Sequence, residues 1–539
     1  MVVSTSRHAS QVGIDILQKR GNAVDAAAAV GFALAVTSSS NGNIGGGGFM
    51  VARFAKGKTF TLDYREMAPA AAHQDMYLDK NGNVIEGKSL YTYFASGVPG
   101  SVDGLLKAWQ DHGSGNISLQ QLLDPAIDLA ESGFDLSHYE ATRFNLNKER
   151  LSQHSETKRI FTRDDRAWKF GDVFVQKDLA NTLKRIAETG RDGFYKGKTA
   201  DLIVAEMETV GGWITHEDLE NYESKYREPI RGKFNDYDII SMGPPSSGGI
   251  LLVHMLNMLN EIQKRSTELN LDMSFNSSDY IHVLTEIERR AYADRAEHLG
   301  DSDFWDIPRD MLLSSSYAKQ RIVNVDFKKA SESKAVFYGN SPKESEETTH
   351  YSVVDRWGNA FSGTPSDGIG GGPTVPGLGF VMSPRGSQSW IEEDHPACLA
   401  AGKRPRLTPT PAMAFRNGRL WMPFGTPGGD VQCQSMVQLF LNVSEFGMNV
   451  QQAIEAPRIS TWNFPNSFWP HASQPAVAVV ESRVEQEVRR NLAGRGHRVQ
   501  DNEAWSNEMS RVCAITVDQK TGMRTGGADP RGPAYAIGW

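Results

Sequence analysis

The pattern of apolar and polar positions near the N-terminus predicts two helices of different kinds. Residues 11–20 are apolar on one face and are followed by Gly21, as in an amphipathic helix that stops at a glycine. Residues 23–36 (AVDAAAAVGFALAV) are apolar on almost every side. A helix of that composition is buried between layers, so we expect the second helix in the core.

Short runs of β-branched and aromatic residues predict strands. Residues 49–54 follow four consecutive glycines, and residues 59–64 form the next such run. The glycines either line a site where the backbone approaches a substrate or relieve a tight bend. Residues 351–362 contain two β runs around a Gly358-Asn359 turn, which predicts a hairpin.

The middle of the chain is expected to be mainly helical. The helical pattern covers residues 119–299, with interruptions near 211–212 and at 244–249. Residues 331–347 form the most linker-like segment. Further on, Pro365 has no N–H to donate, so its strand is expected to be bent or to lie at a sheet edge.

Composition and charge narrow the classes of function. The 539 residues are 39% hydrophobic and 23% charged, as in soluble globular proteins, and the net charge of −8 argues against a nucleic-acid partner. No apolar run reaches the length of a membrane-spanning helix. The acidic cluster at residues 286–303 lacks metal-ligand spacing. We therefore expect ion pairs along a helix there, with no metal and no cofactor.

The cysteines and the N-terminus indicate neither a disulfide or zinc site nor a signal peptide. Cys398, Cys433 and Cys513 are widely spaced and odd in number, so neither a disulfide framework nor a zinc site is indicated. The first residues lack the charged and apolar regions of a signal peptide. The expected location is cytoplasmic for the sequence as it stands, or periplasmic or secreted if a leader has been removed.

The stretch of residues 344–352 admits two interpretations. By local pattern it is a charged surface loop that leads into the predicted hairpin. Alternatively, the bond between Glu347 and Thr348 is cut, and Thr348 becomes a new N-terminus. A threonine hydroxyl needs a base beside it, and a free α-amine, with a pKa of about 7.7–8, supplies one. The same hydroxyl would first attack the Glu347 carbonyl and later turn over a substrate.

Seven segments spread over nearly the whole chain carry a more specific signal. They are residues 43–50 (NIGGGGFM), 63–69 (DYREMAP), 244–249 (PPSSGG), 292–295 (YADR), 348–355 (TTHYSVVD), 425–429 (GTPGG) and 528–531 (ADPR). In sequence and in order they resemble motifs of the γ-glutamyltransferase family of N-terminal-nucleophile hydrolases.

The resemblance implies a fold and a subunit organisation. The family has an α/β fold, a four-layer αββα sandwich, built from two subunits that are cut from one precursor. For this chain it implies a large subunit of residues 1–347 and a small subunit of residues 348–539 that begins with the nucleophile. The two subunits would form one αββα unit as a heterodimer, with no nucleic-acid or membrane partner.

The resemblance also assigns roles to individual residues. Thr348 matches the nucleophile, and Ser366 stands where the family usually has a second threonine that orients it. Gly428 and Gly429 match the paired glycines whose N–H groups form the oxyanion hole. Arg65 matches the arginine that grips the α-carboxylate of the γ-glutamyl group, a role that suits a bidentate guanidinium.

Three positions depart from the family pattern around the α-ammonium of the substrate. Glutathione-cleaving members hold this ammonium with polar or acidic side chains, whereas this chain has Gly368, Arg385 and Gln388. An arginine beside an ammonium is a like-charge contact that costs about 1–4 kcal/mol at a partly buried site. Alternatively, Arg385 is structural and pairs with Asp367 or Glu392.

The carboxylate side departs from the family in part. The Ser-Ser pair that helps to hold the carboxylate becomes Leu407-Thr408, so one hydroxyl is kept, at Thr408. Residues 387–402, where many relatives carry a lid loop, are shortened. This predicts a more open site.

Three hypotheses about function result. The first is γ-glutamyl transfer and hydrolysis, as for glutathione, with water or an amine as the acceptor. The second is hydrolysis of an amide whose acyl half is carboxylated but lacks an α-ammonium, such as a glutaryl- or oxamate-type substrate. The third is an uncleaved, inactive relative that acts as a binding protein.

Overall fold

Two β-sheets form the centre of the molecule. The computed structural model describes residues 1–331, 348–366, 368 and 372–539. In these residues the chain forms eighteen strands. In chain order they are β1 (Val2–Ser4), β2 (Gly48–Arg53), β3 (Thr59–Asp63), β4 (Phe134–Asp135), β5 (Val173–Phe174), β6 (Lys225–Arg227), β7 (Ile230–Phe234), β8 (Tyr237–Ser241), β9 (Tyr351–Val354), β10 (Ala360–Pro365), β11 (Ala412–Arg416), β12 (Arg419–Gly425), β13 (Ile459–Thr461), β14 (Val477–Glu481), β15 (Arg498–Asn502), β16 (Cys513–Val517), β17 (Arg524–Ala528) and β18 (Tyr535–Ile537).

Helices cover the outer faces of the two sheets. The α-helices are α1 (Arg7–Gln18), α2 (Ala23–Thr37), α3 (Lys88–Tyr91), α4 (Ser101–His112), α5 (Leu119–Ser132), α6 (His138–Leu146), α7 (Lys148–Leu151), α8 (Ser155–Phe161), α9 (Lys177–Thr189), α10 (Asp192–Tyr195), α11 (Gly197–Val210), α12 (His216–Asn221), α13 (Gly248–Gln263), α14 (Ser278–His298), α15 (Arg309–Leu312), α16 (Ser315–Ile322), α17 (Val431–Ser444), α18 (Val450–Glu455) and α19 (Gln486–Gly494). Short 3-10 turns span Tyr93–Ala95, Gly386–Gln388 and Asn507–Met509. Within the described part of the chain, no helix combines the length and the apolar character needed to cross a bilayer.

The order of the strands brings distant parts of the chain together. The first sheet has the order β18-β1-β9-β10-β2-β3-β6, and the second has the order β17-β16-β12-β11-β8-β7. Two smaller sheets have the orders β13-β14-β15 and β4-β5. Strands β9 and β10 are antiparallel neighbours inside the first sheet. The residues just before β9 and just after β10 therefore meet at one end of that sheet.

Three apolar cores separate four layers of structure. Between the sheets, side chains such as Val51 of β2 and Met413 of β11 form a buried cluster. A larger core joins the outer face of the first sheet to a layer that includes α1, α2 and α4. A third core joins the outer face of the second sheet to α13, α14 and α17. The fold is a four-layer αββα sandwich, which confirms the expected fold class.

Local sequence explains the two helices near the N-terminus. Asn22 caps α2: its side chain accepts from the N–H groups of Val24 and Asp25, and Asp25 accepts in return from the N–H of Asn22. The side chains of α2 are buried on all sides, and only Gly31 is half-buried. In α1 one face is buried, and the side chain of Ser6 caps its start. Both predicted helices are confirmed, with ends shifted by a few residues.

One expectation about the strands is wrong in part, and another leaves out several strands. Strand β10 is not an edge strand, because it lies between β9 and β2. Pro365 is tolerated there because it is the last residue of the strand, where a missing N–H interrupts the fewest ladder bonds. The segment 119–299 is mainly helical, as expected, but it also contains strands β4 to β8. In β7 the buried Ile230 and Phe234 alternate with the exposed Arg231 and Lys233, which is the period-2 pattern of a half-buried strand.

Candidate active site

Thr348 and Ser366 meet at the end of the first sheet. Thr348 lies just before β9 and is 3% exposed, so the interpretation of this residue as part of a surface loop is wrong. Its Oγ1 lies 2.8 Å from the Oγ of Ser366, which follows β10. The ladder between the two strands extends to this point, because the N–H of Thr349 donates to the carbonyl of Pro365 at 3.0 Å. The predicted pair of hydroxyl groups is therefore in hydrogen-bond contact.

The glycine run before β2 holds Ser366 from the other side. The N–H of Ser366 donates to the carbonyl of Gly47 at 2.9 Å, and Gly48 pairs with Pro365. A Cβ on Gly48 would lie 2.7 Å from the Cα of Pro365, so only glycine allows the two backbones to approach this closely. These two glycines serve close backbone packing, and through it they position the hydroxyl that contacts Thr348.

His350 is buried near the nucleophile but bonds to other partners. Its Nδ1 lies 2.8 Å from Oγ1 of Thr364, and its Nε2 lies 3.1 Å from Oγ of Ser352. Burial lowers the pKa of His350 to about 3, so the ring is neutral at physiological pH. Both ring nitrogens contact these hydroxyls, so His350 stabilises the pair of strands. The hydroxyl of Thr348 contacts Ser366 instead.

The paired glycines lie at the start of α17. Gly428 has a φ of +121° and Gly429 a φ of +51°, conformations that L side chains rarely adopt. A Cβ on Gly428 would also lie 2.6 Å from Oγ of Ser510. The N-terminus of a helix carries a partial positive charge and exposed N–H groups, which suits an anionic intermediate. The oxyanion hole at Gly428 and Gly429 stays a prediction.

Arg511 links the nucleophile to the segment of the paired glycines. Its Nη2 donates to the carbonyl oxygen of Thr348 at 3.3 Å. Its backbone N–H donates to Oγ1 of Thr426 at 3.0 Å, two residues before Gly428. No sequence motif pointed to this residue, and the contact with Thr348 spans 163 positions of the chain.

Arg65 lies at the other end of the candidate site, in a cluster of buried charged and polar groups. It is fully buried, and its Nη1 forms an ion pair with Oε2 of Glu66 at 2.6 Å. Its Nη2 donates to Oε1 of Gln388 at 2.8 Å, and its Nη1 lies 3.5 Å from the carbonyl of Ser366. Ser366 therefore joins the two ends, with its side chain on Thr348 and its carbonyl on Arg65.

Glu66 pairs with the second arginine of this cluster as well. Nε of Arg385 donates to Oε1 of Glu66 at 2.7 Å, and both side chains are buried. Burial alone would raise the pKa of Glu66, but the charges of Arg65 and Arg385 outweigh it and hold the pKa below its usual value. The three side chains thus carry one net positive charge. Arg385 thus has a buried acidic partner in Glu66, whereas Asp367, one of the two partners that the sequence suggested, lies outside the described residues.

Gln388 and Gly368 are the other two residues expected near a substrate ammonium. Both are buried. The amide oxygen of Gln388 is already bonded to Arg65, whereas its Nε2 has no hydrogen-bond partner among the residues that the structure describes. The amide therefore offers a donor, which suits a carboxylate better than an ammonium. Asp367 and Glu347, the residue before the predicted cleavage, lie outside the described residues.

Thr408 bonds to a different carboxylate. Its Oγ1 donates to Oδ1 of Asp430 at 3.2 Å. Asp430 is also held by Arg295 and by the backbone N–H and the hydroxyl of Ser467. Burial opposes ionisation of Asp430, but Arg295 and Ser467 hold its pKa below its usual value. The kept hydroxyl of Thr408 is therefore engaged next to the start of α17, while Leu407 packs in a small apolar cluster.

Two residues of the site were missed by reasoning from the sequence. Glu66 stands inside the motif that contains Arg65, so its position in a known motif was a usable signal. Arg511 carried no signal, because an isolated arginine before a strand is usually a surface residue.

Comparison with known proteins identifies the family. The family model for Gamma-glutamyltranspeptidase matches residues 9–539. The chain belongs to this family. The glutathione hydrolase proenzyme of Escherichia coli (strain K12) is 38% identical over 548 residues, which cover 98% of this chain and 90% of that protein.

The chain is similar in structure to a cephalosporin acylase and to a gamma-glutamyltranspeptidase. The crystal structure of cephalosporin acylase from Bacillus halodurans has a TM-score of 0.88 at 26% identity, over 100% of this chain and 95% of that chain. The crystal structure of Helicobacter pylori gamma-glutamyltranspeptidase has a TM-score of 0.56 at 43% identity, over 60% of this chain and 90% of that chain. The chain is thus an enzyme of the Gamma-glutamyltranspeptidase family with an N-terminal-nucleophile hydrolase fold.

Proposed function

We propose that the chain is an autocleaving hydrolase and acyltransferase that uses Thr348 to cleave γ-glutamyl-type amides such as glutathione. The observation that carries the proposal is the position of Ser366 between the two ends of the site. Its hydroxyl lies 2.8 Å from Oγ1 of Thr348, and its carbonyl lies 3.5 Å from Nη1 of Arg65. A substrate whose carboxylate binds Arg65 would then present its amide carbon near Thr348.

Cleavage of the precursor is the first step of this proposal. The hydroxyl of Thr348 attacks the carbonyl carbon of Glu347, and the peptide C–N bond breaks as the acyl group moves to oxygen. Water then hydrolyses the ester. The products are a large subunit of residues 1–347 and a small subunit of residues 348–539 with a free α-amine on Thr348. The two subunits remain together as one αββα unit.

Turnover repeats this chemistry on an external amide. Oγ1 of Thr348 attacks the amide carbon, while the α-amine accepts its proton and passes it to the leaving amine. The N–H groups of Gly428 and Gly429 stabilise the oxyanion, and Arg65 anchors the carboxylate. Water or an acceptor amine then attacks the acyl-enzyme and releases the acyl group from Thr348.

A second candidate substrate is an acyl group with a carboxylate but no α-ammonium, of glutaryl or oxamate type. The cluster of Arg65, Glu66 and Arg385 contains two guanidinium groups and one carboxylate, and guanidinium groups are well suited to bind the carboxylate of a substrate. The amide oxygen of Gln388, which could accept from an ammonium, is already bonded to Arg65. The similarity to a cephalosporin acylase supports the same candidate.

A denaturing gel tests the cleavage. We expect two bands, corresponding to residues 1–347 and 348–539, in the parent protein and a single band in Thr348→Ala, with turnover abolished in the variant. Thr349→Ala is the matched control, because the hydroxyl of Thr349 contacts Thr5 at 2.5 Å; it is expected to be cut. A single, inactive band in the parent would instead support an uncleaved binding protein. Activity in Thr348→Ala would overturn the mechanism.

Two anilide substrates separate the candidate acyl groups. The parent is assayed with a γ-glutamyl anilide and with the matching glutaryl anilide, which differs only by the α-ammonium. A higher kcat/KM for the γ-glutamyl anilide supports the first candidate. A higher kcat/KM for the glutaryl anilide supports the second, with an expected margin of about tenfold for one like-charge contact.

A further inference from the structure

Arg511 is fixed next to the nucleophile by contacts from both subunits of the proposed enzyme. It is 3% exposed. Its Nη2 donates to the carbonyl oxygen of Thr348 at 3.3 Å and to Oδ1 of Asn41 at 3.1 Å. Its guanidinium carbon lies 4.7 Å from the centre of the Tyr139 ring. A planar cation that is stacked and hydrogen-bonded in this way has little freedom to move.

The backbone around Arg511 contacts the segment of the paired glycines. The N–H of Arg511 donates to Oγ1 of Thr426. The preceding residue, Ser510, has a φ of +72° and lies against Gly428. The following residue, Val512, donates its N–H to Oδ2 of Asp529 at 2.9 Å. One short segment therefore touches both the carbonyl of the nucleophile and the residues that bring the glycine pair into place.

We propose that Arg511 is a positioning residue that holds Thr348 in register with the glycine pair, and that its charge favours the neutral form of the Thr348 α-amine. The inference rests on the proposed cleavage, because this amine exists only in the cut chain. Cleavage does not change the carbonyl of Thr348, which stays bonded to Thr349. Arg511 can thus keep the same contact before and after processing.

The charge of Arg511 acts on the amine through its distance. In the cut chain the α-nitrogen of Thr348 is three bonds from the carbonyl oxygen that Arg511 contacts, so it lies within about 7 Å of Nη2. A like charge at such a distance disfavours the ammonium form. Only the neutral amine can accept the hydroxyl proton. We expect the effect on the amine to be about one pH unit at the partly screened strength typical of such pairs.

Several other charged groups also lie around Thr348. Glu140 of α6 is one acidic group that interacts with Arg511, and burial raises its pKa to about 7, so it is only partly ionised at neutral pH. His350 is neutral, as described above. Further charged groups on the elements around Thr348, Ser366 and Arg511 include Arg143 of α6, Arg65 and Glu66 after β3, and Asp529 after β17. Asp367 lies outside the described residues.

The test compares three substitutions at this contact with a surface control. Arg511→Gln removes the charge, Arg511→Lys keeps it, and Asn41→Ala removes one anchor of the guanidinium without changing any charge. Arg489→Gln removes an arginine that pairs with Asp501 on the surface, so it is expected to behave as the parent. Each protein is examined on a denaturing gel, by thermal melting and by kcat/KM between pH 5 and 9.

The expected results separate charge from position. Arg511→Gln lowers kcat about 10- to 100-fold. It also shifts the acidic limb of the pH profile of kcat/KM to a pH about one unit higher. Arg511→Lys keeps the limb of the parent and recovers part of kcat, whereas Asn41→Ala lowers kcat without moving the limb. Loss of cleavage in Arg511→Gln at an unchanged melting temperature also supports the positioning role, because cleavage needs the same hydroxyl aimed at Glu347.

Two outcomes would overturn the inference. The first is a cut Arg511→Gln protein with the kcat of the parent and an unshifted limb. The second is an equal shift of the limb in Arg511→Lys, which would show that the charge is irrelevant. Failure of the proposed function looks different: the parent itself would remain a single chain, or Thr348→Ala would turn over substrate.

Discussion

The two ends of the candidate site are built from different kinds of groups. The nucleophile end consists of the hydroxyls of Thr348 and Ser366 and the neutral ring of His350. The acyl end consists of the buried charges of Arg65, Glu66 and Arg385, with the amide of Gln388. The hydroxyls and the neutral ring of the first end act through the placement of atoms. The second end is charged, so under the proposed function we expect it to decide which acyl groups are accepted.

Burial makes the charged end sensitive to loss of any one member. Taking ions out of water is costly, and each of the three charges depends on the others to offset that cost. Removing one partner of such a pair leaves an uncompensated charge in the interior, which destabilises a fold by about 3–5 kcal/mol. At the nucleophile end, a lost hydroxyl leaves only one unmade hydrogen bond, worth about 1 kcal/mol. Substitutions at the two ends should therefore differ in size and in kind.

The largest effect is expected from Arg65→Met. The variant loses the guanidinium that anchors the carboxylate and leaves Glu66 with only Arg385. We expect kcat/KM for carboxylated substrates to fall about 10³-fold, mainly through KM, as for truncation of a buried charged partner. The melting temperature should also fall. Arg65→Lys keeps the charge but not the planar fork, so its loss should be smaller. An unchanged KM in Arg65→Met would show that the carboxylate binds elsewhere.

A smaller effect, of a different kind, is expected from Ser366→Ala. The hydroxyl of Thr348 loses the partner that orients it, so kcat should fall about tenfold while KM stays near that of the parent. Ser366→Thr should restore kcat, because it returns a hydroxyl to the same place. Steady-state kinetics on one anilide would measure both values. A rise in KM without loss of kcat would mean that Ser366 serves the acyl end through its side chain.

Arg385→Gln tests whether the second positive charge of the acyl end affects the choice between the two acyl groups. The variant keeps Arg65 and removes the second positive charge, so an α-ammonium is better tolerated. We expect the ratio of kcat/KM for the γ-glutamyl anilide to that for the glutaryl anilide to rise about tenfold, or about 1.4 kcal/mol. Arg385→Lys keeps the charge and should leave the ratio unchanged. An unchanged ratio in Arg385→Gln would assign Arg385 a purely structural role.

The burial of Glu66 decides which substitution is suitable at position 385. An acidic replacement would place a second carboxylate against Glu66, which is fully buried. Two buried like charges destabilise the fold whatever the role of Arg385 in specificity. A neutral replacement separates the two effects.

The nucleophile end could be predicted from sequence almost completely. The β runs on either side of Gly358 form a local pattern, and a hairpin places the residue before one strand beside the residue after the other. The motif at Thr348 then identifies the nucleophile. Ser366 follows from its distance along the same hairpin, because both residues belong to one short segment of chain.

The acyl end could be predicted only in part. Arg65 belongs to a recognisable motif, but its partner Gln388 is 323 positions away, and Glu66 is 319 positions from Arg385. No local periodicity encodes such contacts, since they result from the packing of whole layers. The same reason explains why Arg511 was missed. Burial of a charged residue depends on a partner that the sequence does not reveal.

The smallest effect on activity is expected from His350→Asn, which tests whether the nucleophile end is neutral. The side-chain oxygen of asparagine can replace Nδ1 as the partner of Thr364, while the titrating ring is lost. We expect the acidic limb of kcat/KM to stay where it is in the parent, because the α-amine and not His350 is the proposed base. A shift of this limb to lower or higher pH would show that the ring of His350 takes part in the proton transfer.

The same substitution should change how stability depends on pH. The pKa of His350 is about 3 in the folded chain and 6.5 in its ordinary state. Below pH 6.5 the unfolded chain therefore binds a proton that the folded chain does not, so stability falls with decreasing pH by up to about 1.4 kcal/mol per unit until about pH 3. His350→Asn lacks this term. Denaturant unfolding at pH 7.5 and pH 5 should show a smaller loss of stability in the variant than in the parent. Equal losses would mean that the ring is already protonated in the fold, and the nucleophile end would then carry a charge of its own.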